Sequence, residues 1–293
     1  MPESMPMPDS DPNRAWARAR ARARECVGQL DKKRCLLVGG TSGIGFAAAR
    51  RFLEEDAHLV IAGLDTAQSK ESIQTLRSMG LRSSGGWDAR DPAQVKEMFI
   101  SVLSTLGGLD VLYHVAGGSG RKDGDGPLHQ CTDASWQATL DANLKSTFLT
   151  NRAAVKHFLG QKQPGVILNM ASVLAFSPSP RHFDTVAYAA AKGGIIAMSR
   201  LSSARYATDG IRVNVLAPGL INTPMSARAC GDPAVHSFLR TKQPLVGGPG
   251  RPEDCSDAAV FLCSDAARLI TGVVLPVDAG WCVSEGQYGN DER

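Results

Sequence analysis

The chain has 293 residues, 43% of them hydrophobic and 21% charged, with a net charge of +3. That balance excludes a chain disordered over most of its length, and no apolar run approaches the ~18 residues of a membrane-spanning helix. The 30 glycines follow no Gly-X-Y period, so collagen is excluded as well.

All the excess positive charge lies at the start of the chain. Residues 1–34 carry eight basic and five acidic side chains, and the remainder sums to zero. Net charge therefore gives no reason to expect nucleic acid as a partner. Arg14-Ala-Trp-Ala-Arg-Ala-Arg-Ala-Arg-Ala-Arg24 would put arginine on every side of a helix and leave no apolar face. Residues 1–30 are expected to form a disordered or solvated Arg-rich extension. It has no apolar core like that of a signal peptide, and Glu3, Asp9 and Asp11 argue against a transit peptide.

From residue 33 strands and helices alternate. Residues 35–38 read as a strand ending at Gly39-Gly40, and 43–53 as a helix. A second strand covers 59–62. A helix over 92–106 starts with an Asp91 cap and proline in its first turn. A strand follows at 109–113, then a long helix over 133–159. Strand 165–169, helix 186–209, strand 211–216, helix 252–263 and strand 273–277 complete the order. Strands apolar on both faces predict a parallel sheet covered by helices on each side, an α/β architecture. With no internal linker, residues 31–284 read as one domain and 285–293 as a tail.

The seven cysteines (Cys26, Cys35, Cys131, Cys230, Cys255, Cys263 and Cys282) are odd in number and widely spaced. They suit neither zinc nor a disulfide framework, and the six histidines form no metal pattern. Reduced thiols of a cytoplasmic protein without a metal are expected.

The first strand runs into Gly39-Gly-Thr-Ser-Gly43-Ile-Gly45 and then a helix. Such a turn lets backbone approach a pyrophosphate, and the helix N-terminus offers free N–H groups with a positive dipole end. Tyr188 and Lys192 are one helical turn apart, on one face. A phenol acting as general base near neutrality needs its pKa lowered by roughly 3 units, and a nearby ammonium can contribute to that. Ser172 can donate a hydrogen bond to a carbonyl oxygen or alkoxide.

In this order these residues resemble the short-chain dehydrogenase/reductase family. Gly39, Gly43 and Gly45 match its T-G-x-x-x-G-I-G turn, with Val38 in the place of Thr. His114-Val-Ala-Gly117 resembles the family's N-N-A-G without either Asn, so His114 must replace the strand tie of the first Asn by other means or not at all. Leu168-Asn-Met-Ala-Ser172, Tyr188-Ala-Ala-Ala-Lys192 and Ala217-Pro-Gly219 resemble its catalytic and nicotinamide segments. The resemblance implies a Rossmann-type, doubly wound parallel sheet in three layers. It implies Asn143, Ser172, Tyr188 and Lys192 as the catalytic set, with Lys192 also on the nicotinamide ribose and Asn143 on a proton-relay water. It implies cofactor contacts from Gly39, Thr41, Ser42, Gly43, Ile44, Gly45, Asp88, Ala116, Gly117, Pro218, Gly219, Ile221 and Thr223, besides Tyr188 and Lys192.

The expected activity is an NAD(P)-dependent interconversion of a small-molecule secondary alcohol and a ketone. A 3-oxoacyl-carrier-protein reductase using NADPH is an alternative, and a dinucleotide-sensing regulatory protein is another. NAD is favoured over NADP. Gly63 stands at the usual acid position, Leu64 and Ser42 stand where NADP forms carry basic residues, and Asp65 would repel a 2′-phosphate. Arg181 and His182 are candidates for a polar or anionic substrate group. Residues 225–249 are expected to form a substrate lid hinged near Gly247. The resemblance further implies a homotetramer, or a homodimer, with no membrane association.

Overall fold

The computed structural model describes residues 28–64 and 67–286. The Arg-rich extension up to Val27, Asp65 and residues 287–293 of the tail lie outside the described residues.

Seven strands form one parallel sheet: β1 (Arg34–Val38), β2 (His58–Ala62), β3 (Ser83–Gly85), β4 (Val111–His114), β5 (Gly165–Met170), β6 (Ile211–Pro218) and β7 (Val274–Val277). Their spatial order is β3-β2-β1-β4-β5-β6-β7. Period-two alternation decides the layering. Cys35 and Leu37 of β1, Leu59 and Ile61 of β2, and Val111 and Tyr113 of β4 face one apolar layer. Leu36, Val38, Val60, Ala62 and Leu112 face the other. A sheet apolar on both faces has to be covered on both.

The covering helices are α1 (Gly43–Glu54), α2 (Ala67–Ser78), α3 (Pro92–Leu106), α4 (Asp133–Leu140), α5 (Ser146–Gln161), α6 (Val186–Tyr206), α7 (Pro233–Lys242) and α8 (Pro252–Cys263). Ala48, Phe52 and Leu76 from α1 and α2 join Ala259 and Leu262 of α8 over the first face. Val95, Met98 and Phe99 of α3 join Leu149, Val155 and Phe158 of α5 over the second, where Ile196 of α6 also packs. Phe52 is fully buried and stacks on Tyr113 with ring centroids 6.0 Å apart, a burial contributing about 2–3 kcal/mol. Leu30 is fully buried in this core too.

Local signals set several boundaries. The Asp91 carboxylate accepts from the Ala93 N–H at 2.8 Å, and Gly107 ends α3 in the left-handed region at φ 71°. Where one helix was expected over 133–159, there are two, α4 and α5, joined by a widened π turn at Asp141–Lys145. α2 and β3 carry no marked apolar pattern. β3 is Ser-Ser-Gly, half-buried at the sheet edge, and pairs with β2 through backbone alone.

The strand order reverses between β1 and β4, and a crevice opens there at the C-terminal strand ends. The loops after β1, β4, β5 and β6 all reach it.

Candidate active site

One cavity of about 590 Å³ occupies this crevice. It is lined by every described residue expected to touch the cofactor and by Asn143 and Ser172.

The first wall is the glycine turn. Gly39 donates to the Ala62 carbonyl at 2.7 Å and has a φ of 94°. A Cβ there would lie 2.6 Å from the Ala116 nitrogen, so only glycine lets β1 and the loop after β4 approach so closely. A Cβ on Gly45 would run into the Gly39 carbonyl. Ser42, which caps α1, makes no side-chain hydrogen bond to the first turn. The first-turn N–H groups therefore have no side-chain cap and face the cavity, where a phosphate anion fits.

Farther along this wall Asp88 lines the cavity with Arg90. The Arg90 guanidinium donates to both carboxylate oxygens, at 2.7 and 2.9 Å for the closest pairs, and holds Asp88 below the usual carboxylate range. Arg90 was not anticipated from the sequence.

The second wall carries the side chains expected to be catalytic. α6 presents Tyr188 and Lys192 on one face, with the Lys192 ammonium 5.5 Å from the Tyr188 ring centre. Lys192 is buried and donates to the Met170 carbonyl at 2.9 Å, and burial brings it down to about 8. Burial pushes the Tyr188 phenol up, and a hydrogen bond with Ser172 pulls it part of the way back. This differs from the expectation of a phenol lowered by its lysine. With the ammonium turned to Met170, burial dominates, and Tyr188 holds its proton at neutral pH. Ser172 also accepts from the Leu174 N–H at 3.2 Å, which fixes the start of the loop after β5.

Asn143 lies in the π turn, fully buried. Its Nδ2 donates to the carbonyls of Thr139 and Gly118, both at 2.9 Å, and its Oδ1 accepts from the Gly118 N–H at 3.2 Å. A Cβ on Gly117 would sit 2.5 Å from this Oδ1 and 3.4 Å from the Lys192 ammonium. Gly117 thus keeps open the space that both groups border.

His114 does not tie strands together. Its Nδ1 meets the Thr150 hydroxyl at 2.8 Å and its Nε2 the Ser146 hydroxyl at 3.3 Å, so it joins β4 to α5. Burial lowers it to about 3, and it stays neutral at physiological pH. Asp125 was also unanticipated. It is buried, and its two oxygens accept from the backbone N–H groups of Ala187 at 3.0 Å and Tyr188 at 2.9 Å. The loop after β4 thereby caps the helix that carries Tyr188.

At the far end, Leu174, Phe183, Met225, Ala229 and Trp281 line the cavity. Trp281 is buried and donates to the Ser177 carbonyl at 3.1 Å. Arg181 and His182 do not line this cavity. The helical turn Pro180–Phe183 directs Phe183 inward and leaves both in a separate depression at the rim. Residues 225–249 contain a helical turn, Ala227–Cys230, and α7, whose Val235 and Leu239 pack beside Trp281.

The chain belongs to the short-chain dehydrogenase/reductase family and is an enzyme of that oxidoreductase class. A family model described as Enoyl-(Acyl carrier protein) reductase matches residues 38–282. Among named relatives, 3beta-hydroxysteroid dehydrogenase 1 of Eggerthella lenta is 34% identical over 263 residues, covering 89% of this chain and 98% of the relative. Cis-4-hydroxycyclohexanecarboxylate dehydrogenase of Sinomonas cyclohexanicum is 33% identical over 250 residues, covering 84% and 95%. A solved short-chain type dehydrogenase/reductase from Mycobacterium ulcerans superposes with a TM-score of 0.80 at 26% identity, covering 87% of this chain and 91% of that one.

Proposed function

We propose that this protein interconverts a small-molecule secondary alcohol and a ketone with NAD as the preferred dinucleotide. One observation carries the reading. Ser172, Tyr188 and Lys192 line the same cavity as a glycine turn that suits a pyrophosphate. The hydroxy-compound dehydrogenases among the relatives support the substrate class.

The Gly39–Gly45 turn would hold the pyrophosphate, Asp88 with Arg90 the adenine end, and Ala116 with Gly117 the middle of the dinucleotide. Lys192 would hold the nicotinamide ribose, and Pro218, Gly219, Ile221 and Thr223 would flank the nicotinamide. When bound, the nicotinamide supplies or accepts the hydride at the carbinol carbon. Tyr188 moves the proton to or from the substrate oxygen, and Ser172 donates a hydrogen bond to that oxygen. Lys192, near 8, is suited to take up or release the proton at working pH. Asn143 Oδ1 borders the same space at Gly117, where a relay water would be held.

Support for NAD comes from the cavity end formed by Ser42, Gly63, Leu64 and Ser69, where none of these side chains is cationic. Arg90, on the same half, is bound to Asp88. Asp65 follows Leu64 directly and would disfavour a 2′-phosphate. We propose a cytoplasmic homotetramer built on α5 and α6, whose Phe148, Leu159 and Leu201 are exposed apolar side chains.

The test is a cofactor-coupled absorbance screen over sugars, polyols, hydroxy acids, steroids and aliphatic alcohols with both dinucleotides. Turnover of a secondary alcohol with kcat/KM at least about tenfold higher for NAD is expected, a difference of ~1.4 kcal/mol. A preference for NADP overturns the NAD assignment.

A further inference from the structure

Two arginines at the substrate end have no part in the reading above. Arg121 comes from the helical turn Arg121–Asp123 after β4, and Arg228 from the turn Ala227–Cys230 after β6. Both line the main cavity and also the rim depression beside it. They approach the mouth from two segments of the chain that lie far apart in sequence.

Neither is neutralised. Among the described residues no carboxylate lies within 4.0 Å of either guanidinium. Arg121 Nη2 donates to the His182 carbonyl at 3.3 Å, a neutral partner that orients the group without cancelling its charge. The rim depression contains two acids, Asp125 and Asp184. Both Asp125 oxygens already accept from the N-terminus of α6. The two attract Arg121, but partial burial and the neighbouring Arg228 outweigh them and push Arg121 below its ordinary value. Both side chains are exposed at the cavity mouth, and an anion lying between them would relieve their mutual repulsion. Guanidinium groups suit a carboxylate, since each can offer paired N–H donors.

Leu174, Phe183, Leu220, Met225 and Trp281 contribute apolar lining to the cavity that Ser172, Tyr188 and both arginines also line. A ligand spanning it needs a hydroxyl or carbonyl at one end and an anion at the other. We infer that Arg121 and Arg228 clamp the carboxylate of a substrate whose secondary alcohol or ketone lies at the opposite end of an apolar body. This rests on the oxidoreductase reading for the reacting end, while the clamp itself is testable without turnover.

The experiment is calorimetric titration of the full chain, saturated with NADH, with cyclohexanecarboxylate and hexanoate and with their uncharged amides. At least one acid is expected to bind about tenfold or more tighter than its amide. Arg121→Gln and Arg228→Gln should each remove most of that preference, while Lys122→Gln, an exposed cation outside both cavities, should keep it. Equal binding of acid and amide, absence of acid binding, or an undiminished preference in both arginine variants overturns the clamp. Tyr188→Phe separates the two claims, because it should cut turnover at least ~100-fold and retain the acid preference. A wild-type enzyme that oxidises neutral alcohols but shows no acid preference would refute the clamp alone.

Discussion

The two ends of the cavity are built on different principles. At the dinucleotide end, backbone meets backbone: Gly39 abuts Ala116, and Gly45 abuts the Gly39 carbonyl. At the substrate end, side chains converge from separate loops: Arg121 after β4, Phe183 after β5, Arg228 after β6 and Trp281 after β7. The first arrangement tolerates almost no change of residue type. The second can be rebuilt one side chain at a time without disturbing the sheet, as expected for a fold whose substrates vary more than its cofactor.

Substitutions at the two ends should therefore differ in kind. Outside the reacting side chains, the largest effect is expected for Gly45→Ala, which sets a methyl against the Gly39 carbonyl; dinucleotide affinity measured by calorimetry should fall at least ~100-fold, about 2.7 kcal/mol. A loss under threefold would break the contrast. Next comes pH. Lys192 sits near 8 and is neutral above that value, able to accept the proton that alcohol oxidation releases. The kcat/KM for oxidation should rise through pH 8 by up to about tenfold per unit below it, while ketone reduction shows the opposite trend. A flat profile from pH 7 to 9 would remove Lys192 from the proton path.

A smaller effect is expected where the two ends are joined. Asp125→Ala strips the cap from α6 and should cost about 1–2 kcal/mol, roughly 2–8 °C in Tm by scanning calorimetry. An unchanged Tm would mean that α6 holds its start without this loop. The smallest is Tyr113→Phe. The Tyr113 hydroxyl is buried without a partner, so chemical denaturation should show a change within about 1 kcal/mol, neutral or stabilising. A larger loss would point to a polar role for that hydroxyl.

The same contrast explains what was legible in the sequence. α3 and α8 have the bounds expected from the sequence, 92–106 after its Asp91 cap and 252–263. The glycine spacing located the turn because only glycine satisfies its contacts. β3 left no pattern because an edge strand of Ser-Ser-Gly buries no apolar side chain. The break between α4 and α5 was hidden because Asp-Ala-Asn-Leu-Lys is as compatible with a regular helix as with the π turn it adopts. Arg90 was hidden because its importance lies in a pairing two residues back, on Asp88. Arg181 and His182 lie in the loop between Ser172 and Tyr188, yet one helical turn leaves them in the rim depression and outside the cavity. Arg121 and Arg228 have no spacing to betray them, since only the closed fold brings them together.

In the proposed reaction Tyr188 moves the proton while the rest of the cavity holds the dinucleotide and substrate. Tyr188→Phe measured for both turnover and dinucleotide binding tests it directly. A fall in kcat of roughly 10²–10⁴-fold is expected, with dinucleotide affinity unchanged within about threefold. Turnover close to that of the unaltered enzyme would take the proton step away from Tyr188.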